Sequence, residues 1–126
     1  MTAVRNPIRT TDAPPPAGSY SQALEYNGLV YISGQTARWP DGTRATHEPF
    51  EVQAELALAN VQALARASGT DLSNALQVTV YLKDPAMSQA FDAIFKMYVK
   101  EPFPSRAIVQ SSLTVSDIEI SAIVAR

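Results

Sequence analysis

Apolar residues recur along this chain with two periods. From about Phe50 to Ala67, Ala54, Leu58, Val61, Leu64 and Ala65 fall at spacings of three and four. That spacing lines one stripe of an amphipathic helix, and the many alanines raise its propensity. Ser68-Gly69-Thr70 supplies a stop, with Gly69 suited to the left-handed residue that follows a helix end. A second stripe of Met87, Ala90, Phe91, Ile94, Phe95 and Tyr98 predicts a helix over about Pro85 to Val99. Asp84-Pro85 offers it a cap and a first-turn proline. A methionine and aromatic stripe at helical spacing reads as core packing.

Elsewhere the period is two. Tyr26-Asn27-Gly28-Leu29 carries a hairpin signal, because Asn-Gly accepts the two positive φ angles of a type I′ turn. Strands are therefore predicted near 20–26 and over Leu29 to Ser33, with Gln35 to Arg38 continuing extended past Gly34. Gly34 marks a bulge or a place where the backbone approaches a ligand. Pro40-Asp41-Gly42 is a further turn. Ala75 to Leu82 is a predicted strand with Leu76, Val78, Val80 and Leu82 on one face, and Arg106 to Leu113 and Ile118 to Ala125 are two more. The first sixteen residues end in Pro14-Pro15-Pro16 and read as an extended arm. The order of hairpin, helix, strand, helix, strand, strand defines an α+β chain, one sheet with both helices most simply on one face. One domain is expected over residues 1–126, with no internal repeat.

The strands pose a question of cover. Val30 and Ile32 alternate with Leu29 and Tyr31, and Ile118 and Ile120 with Ile123 and Ala125. A sheet apolar on both faces needs cover on both, and two helices serve only one. A second copy of the chain is the natural cover, so oligomerisation through the open face is expected.

Composition narrows the chemistry. Net charge is −2 and no Lys/Arg run occurs, so nucleic acid and anionic membrane are disfavoured partners. There is no cysteine, which excludes disulfides, a thiol nucleophile and thiolate metal sites. His47 is the only histidine, and no Gly-x-Ser-x-Gly elbow is present to make a nucleophilic serine. With no long apolar run and no signal-peptide pattern, the cytoplasm is the expected location.

One short stretch invites a chemical reading. Pro102 and Pro104 interrupt regular structure, and the apolar run that follows starts with Arg106. A guanidinium is always charged and presents a planar fork that matches a carboxylate, though an arginine at a strand end also serves as a plain solvated charge. Tyr20, in Ala17-Gly18-Ser19-Tyr20-Ser21-Gln22-Ala23, is an aromatic with a polar tip in polar surroundings.

Five segments in order then make a specific match. They are Ala17 to Ala23, Ile32-Ser33-Gly34-Gln35, Val80-Tyr81-Leu82-Lys83-Asp84, Pro104-Ser105-Arg106, and Ile118-Glu119-Ile120-Ser121-Ala122-Ile123. With these the chain resembles the RidA family, also called the YjgF or reactive intermediate/imine deaminase family, over nearly its whole length. The resemblance implies a chorismate-mutase-like α+β fold and a homotrimer with sites in the clefts between subunits. It implies hydrolysis of reactive enamines or imines to 2-keto acids and ammonia, with no metal and no cofactor. By the same resemblance Arg106 grips the substrate carboxylate and Glu119 positions the attacking water. Tyr20 lines the cleft from the neighbouring subunit, and Ser33 and Gly34 lay their backbone against the ligand. Two positions depart from the family pattern: Ile108 stands where cysteine is common, and Asp92 where asparagine is common. Both are expected to shape the substrate pocket. Two other function classes stand beside imine hydrolysis. One is a non-catalytic protein that binds small carboxylates through Arg106. The other is ribonuclease or translation inhibition, a label the family has carried, against which the charge balance and the single histidine argue.

Overall fold

Asn27 and Gly28 adopt φ of 52° and 78° in the computed structural model, the two left-handed residues that the hairpin requires. The structure describes residues 3–126; Met1 and Thr2, the start of the expected arm, lie outside them. The hairpin joins β2 (Ala23–Tyr26) to β3 (Leu29–Thr36). The other strands are β1 (Asn6–Ile8), β4 (Ala75–Leu82), β5 (Ser105–Gln110) and β6 (Ile118–Ala125), and the helices are α1 (Phe50–Ala67) and α2 (Ser88–Phe95). All six strands make one mixed sheet in the order β1-β2-β3-β6-β4-β5. Among the described residues only β4 and β5 pair in parallel, and the helical crossover between them is the connection that parallel neighbours require.

Alternation assigns the two faces of the sheet. Val30, Ile32, Val78, Val80, Leu82, Ile118, Ile120 and Val124 point to one side, where Leu58, Val61 and Leu64 of α1 and Phe91 and Phe95 of α2 close over them. Both helices therefore cover the same face, as the element order predicts. The opposite face carries Leu29, Tyr31, Tyr81, Ile123 and Ala125, with Tyr31 42% exposed, and no helix among the described residues covers it.

Several expectations need correction. The first hairpin strand begins at Ala23, so Tyr20 lies in a loop rather than on a strand. Part of the expected arm is a strand, β1, paired with β2; at three residues including Pro7 it is too short to show a period, and proline is tolerated at a sheet edge. Leu76 does not join the core face. Ala75 pairs with Val124 and Gln77 with Ile123, so Leu76 is the extra residue of a bulge and is 49% exposed. The second helix is shorter than its stripe, because Pro85–Met87 forms a 3-10 turn. At the other end, the amides of Met97 and Tyr98 bond back only three residues, to Ile94 and Phe95. β5 stops at Gln110, not Leu113, because its one neighbour, β4, ends at Leu82.

Glu25 on β2 ties the hairpin to the arm and the C-terminus. It accepts hydrogen bonds from the Gly28 amide (3.0 Å) and from Asn6 Nδ2 (2.8 Å), and faces Arg126 at 3.5 Å. The Gly28 and Asn6 bonds, with a smaller contribution from Arg126, hold its carboxyl below the ordinary glutamate range. A depressed folded-state pKa stabilises the fold above the unfolded-state value and ceases to do so as pH falls through the folded value. Glu25→Gln is thus expected to lower the melting temperature at pH 7, with the gap to the parent protein closing below about pH 4. A gap independent of pH in thermal melts would assign the effect to shape rather than charge.

Candidate active site

Glu119 sits on β6 between Ile118 and Ile120, which both enter the core, so its side chain projects from the open face. Its cross-strand neighbours are Thr36 on β3 and Tyr81 on β4. The β3 ladder slips between Ile32 and Gln35, where three steps on β3 match two on β6. That bulge brings the Gly34 backbone under the Glu119 carboxylate. A Cβ placed on Gly34 would lie 2.8 Å from Glu119 Oε2 and 2.9 Å from Cδ. The bulge reading of Gly34 therefore holds, and the lack of a side chain there leaves room for the Glu119 carboxylate.

Gly34 and Glu119 line a cavity of about 160 Å³ together with Pro14, Tyr20, Arg38 and Arg44. Its walls are set by polar staples. Gln22 is buried and spans to the arm, donating to the carbonyls of Thr10 and Pro14 and accepting from the Thr10 amide, each at 3.0 Å. Ser33 donates its hydroxyl to the Ser21 carbonyl at 2.6 Å, which anchors the loop bearing Tyr20. The Tyr20 hydroxyl in turn accepts from the Ala17 amide at 2.9 Å. Glu119 has no ion-pair partner among the described residues. Larger hollows, about 820 Å³ beside α1 and about 650 Å³ along the arm, contain no carboxylate laid on bare backbone. Gln22 was not singled out from the sequence, since a glutamine in a turn gives no signal of the carbonyls it will meet.

Arg106 lies elsewhere. It is the second residue of β5, directly opposite Val78, so it faces the helix side of the sheet at its edge. Its guanidinium stands 5.2 Å from the Phe95 ring centre and 6.0 Å from that of Phe91, a placement that favours the cation. Its Nη1 donates to Asp92 Oδ1 at 2.6 Å. No acid lies near Arg106 in sequence, yet α2 delivers one from fourteen residues upstream. Asp92, Phe95, Lys96, Phe103 and Arg106 line a second cavity of about 420 Å³. Ile108, opposite Val80, is partly buried and packs against the core.

The sequence-derived site residues thus fall into two groups. Tyr20, Gly34 and Glu119 line the small cavity, with Ser33 next to Gly34 and bonded to the loop that bears Tyr20, while Arg106 and Asp92 line the larger one and Ile108 follows Arg106 by two residues on β5. Glu119 emerges on the open face and Arg106 on the helix face, so one copy of the chain does not bring the two groups together.

If Gly34 is bare in order to seat Glu119, adding a methyl there should displace the carboxylate and little else. The clashing atoms are the far end of a flexible side chain. Gly34→Ala is expected to fold with a melting temperature close to that of the parent and to lose most turnover. A variant of full activity would show that the position of Glu119 does not matter.

A mixed sheet with two helices on one face makes this an α+β protein. Residues 10–126 match the family model described as Endoribonuclease L-PSP. The chain is 36% identical over 120 residues to the RutC family protein y4sK of Sinorhizobium fredii, covering 94% of this chain and 95% of that one. It is 34% identical over 122 residues to the human protein named 2-iminobutanoate/2-iminopropanoate deaminase, covering 95% and 89%. The solved structure of RidA from the Antarctic bacterium Psychrobacter sp. PAMC 21119 superposes with a TM-score of 0.87 at 33% identity, covering 94% of this chain and 98% of that one. The chain belongs to the RidA/YjgF family, and the α+β fold is the one its members share.

Proposed function

We propose that this protein hydrolyses small reactive imines and their enamine tautomers to 2-keto acids and ammonia. The observation that carries the reading is the unpaired Glu119 carboxylate held over the Gly34 backbone in a cavity about the size of a small substrate. The names of relatives at about 34% identity, 2-iminobutanoate/2-iminopropanoate deaminases, support the same class.

The reaction adds water across the C=N bond and expels ammonia. An enamine first takes a proton at carbon to become the electrophilic imine. Glu119 then accepts a proton from water as its oxygen bonds to the imine carbon. The protonated carboxyl passes that proton to the former imine nitrogen, giving the carbinolamine; the carbinolamine hydroxyl then yields its proton through the same carboxylate to the nitrogen, the C–N bond breaks, ammonia leaves and a 2-keto acid remains. Arg106 holds the substrate carboxylate, so that the imine carbon meets the water in one orientation. Tyr20 and the Ser33-Gly34 backbone bound the cleft, and Asp92 and Ile108 shape the acid end. Because Glu119 and Arg106 leave opposite faces of the sheet, the working cleft is formed between copies, in a homotrimer whose interface covers Tyr31 and Ile123. A monomer in sedimentation equilibrium at micromolar concentration would end both the trimer and the shared cleft.

Hydrolysis itself is tested by generating imines in place with an amino-acid oxidase and following ammonia above the uncatalysed rate. Acceleration supports the deaminase; keto-acid binding without acceleration would make the protein a carboxylate binder. The ribonuclease reading, which the family model's description carries, lacks a basic stripe in a chain of net charge −2.

A further inference from the structure

Arg44 belongs to none of the motifs that mark the family resemblance, yet it lines the Glu119 cavity. Its Nη1 donates to Thr36 Oγ1 at 3.1 Å, and Thr36 is the residue directly opposite Glu119 across the β3–β6 ladder. Residues so paired have Cβ atoms about 5 Å apart on the same face. The guanidinium is therefore held beside the carboxylate proposed to activate water. A bridge between Arg38 and Arg44 fixes the turn that carries it. The two arginines are employed differently. Arg38 gives its Nε to the Gly42 carbonyl (2.9 Å) and its Nη1 to the Pro15 carbonyl (2.7 Å). Arg44 makes the single bond to Thr36, leaving the rest of its fork directed to solvent and cavity, and it has no ion-pair partner among the described residues.

Charge makes the arrangement informative. At the acid end, Asp92 offsets the charge of Arg106 at 2.6 Å. With Lys96 in the same cavity as Arg106 and Asp92, the combined cleft is neutral once Glu119 is added, and Arg38 and Arg44 make it net positive, an environment with charge to spare for a second carboxylate. Of these, Arg44 is the one with donors to spare.

We propose that Arg44 binds a second carboxylate, so that the preferred substrates are imines of 2-keto dicarboxylic acids, held by Arg106 at the 2-carboxylate and by Arg44 at the distal one. This rests on the cleft proposed above. The bland alternative is an exposed arginine that solvates a turn.

Calorimetry with 2-oxobutanoate and 2-oxoglutarate on the parent protein, Arg44→Ala, Arg44→Lys and Arg106→Ala separates the possibilities. The parent is expected to bind 2-oxoglutarate at least about tenfold more tightly than 2-oxobutanoate, as one charge-assisted bond allows. Arg44→Ala should erase that preference while leaving 2-oxobutanoate affinity and the oligomeric state unchanged, and Arg44→Lys should restore part of it. Equal affinity of the parent for the two acids, or a preference that survives Arg44→Ala, would overturn the proposal. The cleft is judged separately: 2-oxobutanoate binding that does not need Arg106 sinks the carboxylate clamp, and no binding of either acid sinks both ideas.

Discussion

Glu119→Gln is expected to lower kcat for imine hydrolysis by about a hundredfold or more, the range typical for loss of a positioned general base. Glutamine keeps the length and volume of the side chain, so it still fits over Gly34, where the carboxylate comes within 2.8 Å of an added Cβ. What it loses is the capacity to take a proton from water. Glu119 is half-buried on the open face and has no ion-pair partner among the described residues, so neutralising it leaves no buried charge behind. Stability and oligomeric state should therefore persist, and an unreactive 2-keto acid should bind nearly as before. Unchanged turnover would make Glu119 an ordinary strand residue facing the interface.

Arg106→Ala is expected to weaken binding of a small 2-keto acid by up to about a hundredfold, the loss of a charge-assisted contact worth about 1.5–3 kcal/mol. Arg106→Lys keeps the charge but gives up the planar fork and the stacking beside Phe91 and Phe95, so it should not be conservative. The in-chain partner changes what else is expected. Asp92 already takes Nη1, and its side chain is 56% exposed, so the ion pair is of the kind that contributes little to stability. The alanine variant should keep its fold and its assembly while losing the ligand. Calorimetry run beside size exclusion on the same variants reads both properties, and full binding in the alanine variant would end the clamp hypothesis.

Local rules determined much of this protein. The 3.6-residue stripe set the limits of α1 at Phe50 and Ala67, because eighteen residues of one period leave little choice of face or length. Asn27-Gly28 dictated the hairpin, since few other pairs accept two positive φ angles. Alternation along β6 separates Ile118 and Ile120 from Glu119 and Ile123, but with apolar residues on both faces only the packing of the helices makes the Ile118 side the core. Where elements were short or bulged, local rules failed. β1 is too brief for a period, and the bulge that turns Leu76 outward is invisible in a run of apolar residues.

The site depended on the tertiary structure for a different reason. Asp92 and Arg106 are fourteen residues apart and meet only because a helix crossover lays α2 beside the start of β5. Arg44 reaches the surroundings of Glu119 only through Thr36, on a strand whose register against β6 is shifted by the bulge at Gly34. Sequence spacing specifies which face of an element a side chain takes. Which charges share a cavity depends on strand order and register, and these follow from packing the whole chain.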